Sequence, residues 1–445
     1  MTVASPITRA VPHGALHHFA RAKITPVSLD HIYSFGRQAL ARRHDPARIL
    51  RVSAQFLHRE LPVRVYQNLK VLRAQSWVPL VASSPVLQCL TERYTDDLNL
   101  LTSLEVPNDT RTEAKFLQTL RVLQARHQDH MALARRGIEQ LRQNRPESIS
   151  AHVEPRVSTT ADSTTPGESA PAASIYTGNS EPKVENQLAD RFMDDLYTAS
   201  IGDQLLINEY VFLADHGRNL VRRIQPDQIA QQVIREVQAA ARNFKLGPVA
   251  DIELNAPATQ ASILHIEPYV ANVLFKILYN SVFATMNHHH EQRSRSAATS
   301  TLSATPPPPV RLTIVGGSED VAFKVSDEAG GLSLSKMGQL WRHTIDDCKG
   351  GDGGRARRTH APHHLSFLGS PLNLPTARLI ARYFGGDLSL VSMEGHGTDT
   401  YLHLPRRPTF TESLPPSLVE RLDTPASSLT SSAVQWPLVD EILTR

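Results

Sequence analysis

Apolar residues recur at three- and four-residue intervals through most of the first half of the chain. Phe116, Leu120, Leu123, His127, Met131, Ala134, Ile138 and Leu141 line one face, with charged residues opposite. That spacing predicts a single amphipathic helix over Phe116–Leu141. An earlier helix carries Ile49, Val52 and Phe56, and Pro62 is expected to punctuate it because proline has no N–H to donate. Phe192–Ala214 and Pro226–Asn243 repeat the helical pattern. Several long amphipathic helices without interleaved strands imply a helical bundle. From about Val249 the period shortens. DIELNA, ILHIEPYV, RLTIVGG and DVAFKVSD alternate like strands, and VLFKILYNSVFATMNHH reads as an apolar helix. DLSLVSMEGHGTDTYLHLP reads as a hairpin turned around EGHGTD. Helices sharing one face of a mixed sheet make an α/β sandwich.

Two low-complexity stretches interrupt this pattern. Residues 144–185, with VSTTADSTTPGESAPAAS at their centre, are too rich in Ser, Thr, Pro and Ala to bury a core. Residues 288–309 begin with His288–His290 and end in four prolines, which stop a helix and favour polyproline II. A histidine run of this kind at a helix end binds metal only adventitiously. Residues 1–29 contain no acid, and carry Arg9, Arg21 and Lys23 among hydroxylated residues, the composition of an organelle transit segment.

The chain has 445 residues and 40% hydrophobic content, enough for two or three domains. Its 47 basic and 44 acidic residues leave a net charge of +3. The basic residues are scattered, so the sequence predicts no nucleic-acid surface. No run of 18 apolar residues is present to span a membrane. Cys89 and Cys348 cannot frame a disulfide scaffold or a multi-cysteine zinc site.

Three segments of the second half carry candidate chemistry. Asn280, on the apolar helix, offers an amide oxygen suited to Mg²⁺, although any helix can carry an Asn. Asp327 ends a strand before Gly330 and Gly331, where a carboxylate can accept a hydrogen bond from an adenine amine. The bland alternative is an ordinary strand-ending turn. LSFLGSPLNLPTARLIARYFGGDLSL places small residues before a helix starting near Pro375, and free amides at such a start suit phosphates.

In this order, and followed by SMEGHGTD, the segments resemble the nucleotide-binding fold of the gyrase, chaperone, histidine-kinase and mismatch-repair ATPases. LPTARLIARYFGGDLSLVSMEGHGTDTYLHL and VSDEAGGLSLSKMGQL are most similar to the mitochondrial pyruvate dehydrogenase kinase and branched-chain α-ketoacid dehydrogenase kinase family, leaning towards the pyruvate branch. FLHRELPVRVYQNL, ARHQDHMALARRGI and DRFMDDLYTASIGDQLLINEY fit the same family, so the resemblance spans about residues 25–405. It implies a four-helix-type regulatory bundle over 30–225, followed by a GHKL (Bergerat) ATP-binding α/β sandwich over 226–405. The tail is 406–445. It further implies a mitochondrial-matrix protein-serine kinase that uses Mg-ATP on the E1 component of an α-ketoacid dehydrogenase complex and docks on the lipoyl domain of E2. By position, Asn280 holds Mg²⁺ and Asp327 reads adenine, with Gly330, Gly331 and Thr398 beside it. Gly369, Ser370, Pro371, Leu372, Asn373 and Leu374 cradle the phosphates under a lid over 346–367.

Three positions depart from the family pattern. Lys276 stands one turn before Asn280, where the family has a Glu general base, and would share a face with Asn280 and pair with ATP phosphates as a cation. Ala329 replaces the first glycine of the adenine-side motif. GSPLNLP keeps only Gly369 of three glycines, and Pro371 has no N–H to give. The runner-up function is therefore a catalytically impaired member acting as a nucleotide- or lipoyl-domain-binding scaffold. A two-component histidine kinase ranks third. His127 matches the family's histidine on the bundle helix. On ideal geometry Asp129 projects roughly 200° away from it, so a hydrogen-bonded bundle histidine is the expected role rather than a phosphoacceptor. Family tails cross over in a homodimer. Here Trp436 is the candidate anchor.

Overall fold

The computed structural model describes residues 19, 22–41, 46–74, 81–144, 181–244, 246–256, 262–296, 306–343 and 374–412. The expected phosphate loop up to Asn373, the lid, most of the first low-complexity stretch, residues 297–305 of the second, Cys348 and Trp436 lie outside these residues, as do residues 1–18. Among the described residues, no helix is long and apolar enough to cross a membrane.

Six helices come first: α1 (Leu29–Ala41), α2 (Pro46–Leu72), α3 (Pro85–Thr102), α4 (Thr110–His127), α5 (His130–Asn144) and α6 (Glu181–His216). Local chemistry sets their starts. Ser84 caps α3 by accepting the Leu87 N–H, with Pro85 in the first turn. Asp109 and Thr112 form a reciprocal capping box on α4.

Two expectations change here. Pro62 does not end its helix, because α2 runs through it. Leu61, Val63 and Val65 around it are all buried, so packing on both flanks holds the helical path despite the missing hydrogen bond. The expected helix Phe116–Leu141 is two helices, broken at Gln128–Asp129. The apolar period survives the break, since Leu123, Met131, Ala134 and Ile138 remain buried. Periodicity therefore did not reveal it.

α6 is buried on all sides from Ser200 to Val211 and forms the axis of the helical part. After it come β1 (Val221–Ile224), α7 (Pro226–Ala241), β2 (Ile252–Asn255), β3 (Ile263–Ile266) and α8 (Glu267–Ser296). β4 (Val310–Gly316), β5 (Asp320–Asp327), α9 (Leu334–Met337), α10 (Leu374–Tyr383), β6 (Asp387–Met393) and β7 (Gly397–Pro405) complete the chain. The main sheet has the order β2-β4-β5-β7-β6. Only β2 and β4 are parallel, and β6 and β7 form the expected hairpin. β1, absent from the sequence reading, pairs with β3 in a separate two-stranded sheet. Its residues Val-Arg-Arg-Ile lack a clear alternation.

Arg64 joins the two parts. It is 2% exposed on α2 and bonds Glu60 at 3.0 Å and Glu412 Oε2 at 3.0 Å. Its Nη2 also donates to the Thr25 carbonyl at 2.9 Å. Tyr383 of α10 donates to the same Glu412. A Cβ on Gly202 of α6 would lie 2.4 Å from the Tyr383 hydroxyl and 2.6 Å from Arg64 Nη1, so the cluster closes only over a glycine. Removing one partner leaves buried charge uncompensated, at a cost of about 3–5 kcal/mol. Arg64→Met should lower the urea midpoint accordingly, and adding Glu412→Gln should recover part of the loss. Equal stability of wild type and Arg64→Met would show that the cluster does not hold the two parts together.

Candidate functional site

Strand parity builds one wall of the site. Val321, Phe323 and Val325 of β5 point inward, and the period of two carries Asp327 onto the same face. Its side chain is 8% exposed. Oδ1 accepts the N–H of Ala329 and of Thr398, both at 3.2 Å. Burial raises the carboxyl above its usual range, against hydrogen bonds from Ser281 and from these amides. Ser281 of α8 reaches the end of β5, and Asn280 precedes it on the same helix. Asn280 itself is half-buried.

The loop after Asp327 fits against the β6–β7 turn with no spare volume. Gly331 has φ +66°, and a Cβ there would sit 2.0 Å from the Met393 carbonyl. A Cβ on Gly397 would sit 2.0 Å from the Asp327 carbonyl. Both positions therefore require glycine. Ser392 ties the two loops, accepting the Leu332 N–H at 2.8 Å and meeting Thr398 Oγ1 at 2.9 Å. His288 packs its ring where a Cβ on Gly330 would point, which gives the first residue of the histidine run a packing role.

Lys276 is fully enclosed, and its Nζ has no hydrogen-bond partner among the described residues. Burial lowers its ammonium from 10.5 to about 7. The sequence reading placed a cation here on the face of Asn280; the structure encloses that group and weakens its charge. Leu374, the last residue of the expected phosphate cradle, opens α10, whose Pro375, Thr376 and Ala377 are buried.

Two further residues escaped the sequence reading. His343, beyond α9, is 2% exposed, and its Nε2 meets Asp194 Oδ1 at 2.7 Å. Its N–H donates to Asp190 at 2.9 Å, and its ring stacks on Tyr197 at 5.2 Å. The segment leading toward residues 346–367 is thereby pinned to α6. Trp341 beside it lies under the Arg378 guanidinium at 4.3 Å. No local pattern announces contacts spanning some 150 residues.

His127 lies elsewhere, within the bundle. It is 3% exposed, and its Nε2 is 3.0 Å from Asp97 Oδ2. The bland expectation of a hydrogen-bonded bundle histidine fits this position, with Asp97 of α3 rather than Asp129 as the partner. His130 packs 4.6 Å from His127 and 4.6 Å from Tyr94, centroid to centroid. Burial, then the neighbouring His127, push His130 well below the usual imidazole range.

The family model of mitochondrial branched-chain alpha-ketoacid dehydrogenase kinase matches residues 26–235. The mitochondrial pyruvate dehydrogenase (acetyl-transferring) kinase of Arabidopsis thaliana is 26% identical over 405 residues, which cover 90% of this chain and 95% of the relative. Its namesake from Schizosaccharomyces pombe is 31% identical over 231 residues, 48% of this chain and 50% of the relative. Isozyme 1 of Homo sapiens is 24% identical over 416 residues, 89% of this chain and 80% of the relative.

The lowered lysine has a stability consequence. Between pH about 7 and 10.5 the folded chain binds fewer protons at Lys276 than the unfolded chain, so stability rises with pH across that window. Glu209 and Asp203, raised by burial to about 7 and about 8, act oppositely, with stability falling as pH rises towards 8. Just above pH 8 the lysine leads, until the buried Tyr94, Tyr197, Tyr210, Tyr269 and Tyr383, all raised by burial, turn the slope down towards pH 10. The urea midpoint of wild type should climb from pH 8 to 9. Lys276→Met should lose that climb and exceed wild type in stability at pH 7. Parallel pH profiles for the two proteins would contradict a buried, unpartnered ammonium.

Proposed function

We propose, from the premise that the chain belongs to the mitochondrial pyruvate and branched-chain α-ketoacid dehydrogenase kinase family, that it transfers the γ-phosphate of Mg-ATP to a serine on the E1 component of the pyruvate dehydrogenase complex. The observation that carries this reading is the meeting of Asp327 with Ser281 and Thr398 in a pocket wall that admits only glycine at 331 and 397. We read the five-stranded sheet with α8 and α10 as a GHKL (Bergerat) sandwich over 226–405, and α1–α6 as a regulatory bundle that docks the E2 lipoyl domain. Location in the mitochondrial matrix follows from the same reading.

The residues present fit an adenine nucleotide. Asp327 is held by two backbone N–H groups, so its second oxygen is oriented to accept the adenine amine. Asn280 offers the oxygen for Mg²⁺. Lys276, four residues earlier on α8, is a buried amine that lacks an anion partner among the described residues, and phosphates would supply one once a bound nucleotide displaces what covers it. ATP supplies the transferable phosphoryl group when bound. The chain then contributes positioning and charge neutralisation, which is most of what phosphoryl transfer requires. Near pH 7 Lys276 is divided between amine and ammonium, and adjacent phosphates favour the ammonium. We therefore assign it charge neutralisation in the place of the family's glutamate. Without a general base there, transfer should be slow, since such a base is typically worth about 10²–10⁴ in rate.

Calorimetry with and without Mg²⁺, followed by phosphate transfer to purified E1, tests the assignment. Asp327→Ala should weaken ATP binding by about 10- to 150-fold, the loss of one charged hydrogen bond of about 1.5–3 kcal/mol. Asn280→Ala should weaken it less, and only when Mg²⁺ is present, because the ion keeps its water and phosphate ligands. Absence of ATP binding in wild type would end the kinase reading. ATP binding without transfer to E1 would return the scaffold role.

A further inference from the structure

α4 and α5 meet at the two-residue break Gln128–Asp129, and the break turns His127 and His130 toward one point. Asp97 reaches the same point from α3. These three side chains are 3%, 0% and 0% exposed, respectively, and one ligand atom from each lies within 4.8 Å of the others. Both ring nitrogens of His130 lack a hydrogen-bond partner among the described residues. An imidazole buried in that state is costly, and buried polar groups are normally satisfied.

We propose that Asp97, His127 and His130 form a divalent transition-metal site, with Zn²⁺ as the ion its donors suit, that staples α3, α4 and α5 together. Imidazole nitrogens and a carboxylate oxygen are borderline-hard donors of the kind zinc takes. Zinc bonds of about 2.0–2.1 Å put neighbouring ligand atoms of a tetrahedron about 3.3 Å apart. The 3.0 Å between His127 Nε2 and Asp97 Oδ2 is close to that edge, and His130 closes the third position with a small side-chain rotation. Arg126 Nη1 sits 2.9 Å from Asp97 Oδ1, which orients the carboxylate and leaves Oδ2 for the ion. A fourth position opens toward a cavity lined by Gln124, Gln128, Gln204 and Asn208. There Gln204 Oε1 is buried without a hydrogen-bond partner among the described residues, so it or a water can complete the tetrahedron.

The test uses the full-length chain, stripped with chelator and titrated with Co²⁺, then with Zn²⁺. One Co²⁺ per chain should bind with the visible absorption of a tetrahedral site, and Zn²⁺ should displace it and raise the thermal midpoint. His130→Gln should lose the band. His130→Phe, which keeps an aromatic ring against Tyr94 and preserves packing, should lose it too, with unchanged far-ultraviolet circular dichroism. The triple change His288→Ala, His289→Ala and His290→Ala should retain it. No tetrahedral band in wild type, a band that survives in folded His130→Phe, or one abolished by the triple change would overturn the site.

Discussion

The Arg64 guanidinium is the contact on which the arrangement of the two parts depends. It is buried, so it must be matched on every side or it destabilises the fold. Its partners come from four places: Glu60 on its own helix, the Thr25 carbonyl before α1, Glu412 after β7, and Tyr383 of α10 through Glu412. The segments around 27 and 412 also pair directly, with Glu412 N–H donating to the Val27 carbonyl at 2.9 Å. The entry to the bundle and the exit from the sheet are thus one structure. Gly202 makes room for it on α6.

α6 extends that connection along its length. Asp190 and Asp194 hold His343. Ser200 meets the Tyr94 hydroxyl at 3.1 Å, and Asp203 takes a hydrogen bond from Asn68. Asn208 accepts from Gln124 at 2.7 Å and bonds Tyr269 of α8. Glu209 accepts the N–H groups of Leu220 and Val221 at β1. At 1.5 Å per residue, the stretch from Asp194 to Asn208 covers about 21 Å of one helix. A single element therefore touches the Asp97–His127–His130 cluster, the Arg64 cluster and the His343 segment beyond α9.

Much of the architecture was legible because helix and strand periods are local. The β5 alternation carried Asp327 to the inner face, and the glycines at 331 and 397 stand where backbones come close. The errors were also local readings. Proline at 62 should end a helix, but burial on both sides keeps it. A break at Gln128–Asp129 that preserves the apolar period cannot be seen in that period. The depth at which Lys276 lies was not legible, because sequence gives a side chain's face but not the depth of its cover.

By itself, the sequence determined most of the order of helices and strands, though not β1 or the break between α4 and α5, together with the turn motifs that carry glycine and the grouping of Asn280, Asp327 and Thr398 as candidates through their motifs. These follow from backbone sterics and from periodicity within a few residues. Only the tertiary structure decided that Asp97 is the partner of His127, that His343 is pinned to α6, that Glu412 closes on Arg64, and that Lys276 lacks a hydrogen-bond partner among the described residues. Those contacts join residues 30 to 348 positions apart, or arise from enclosure by several elements at once. Their energies come from desolvation and charge pairing in a shared interior, quantities that no single stretch of chain contains.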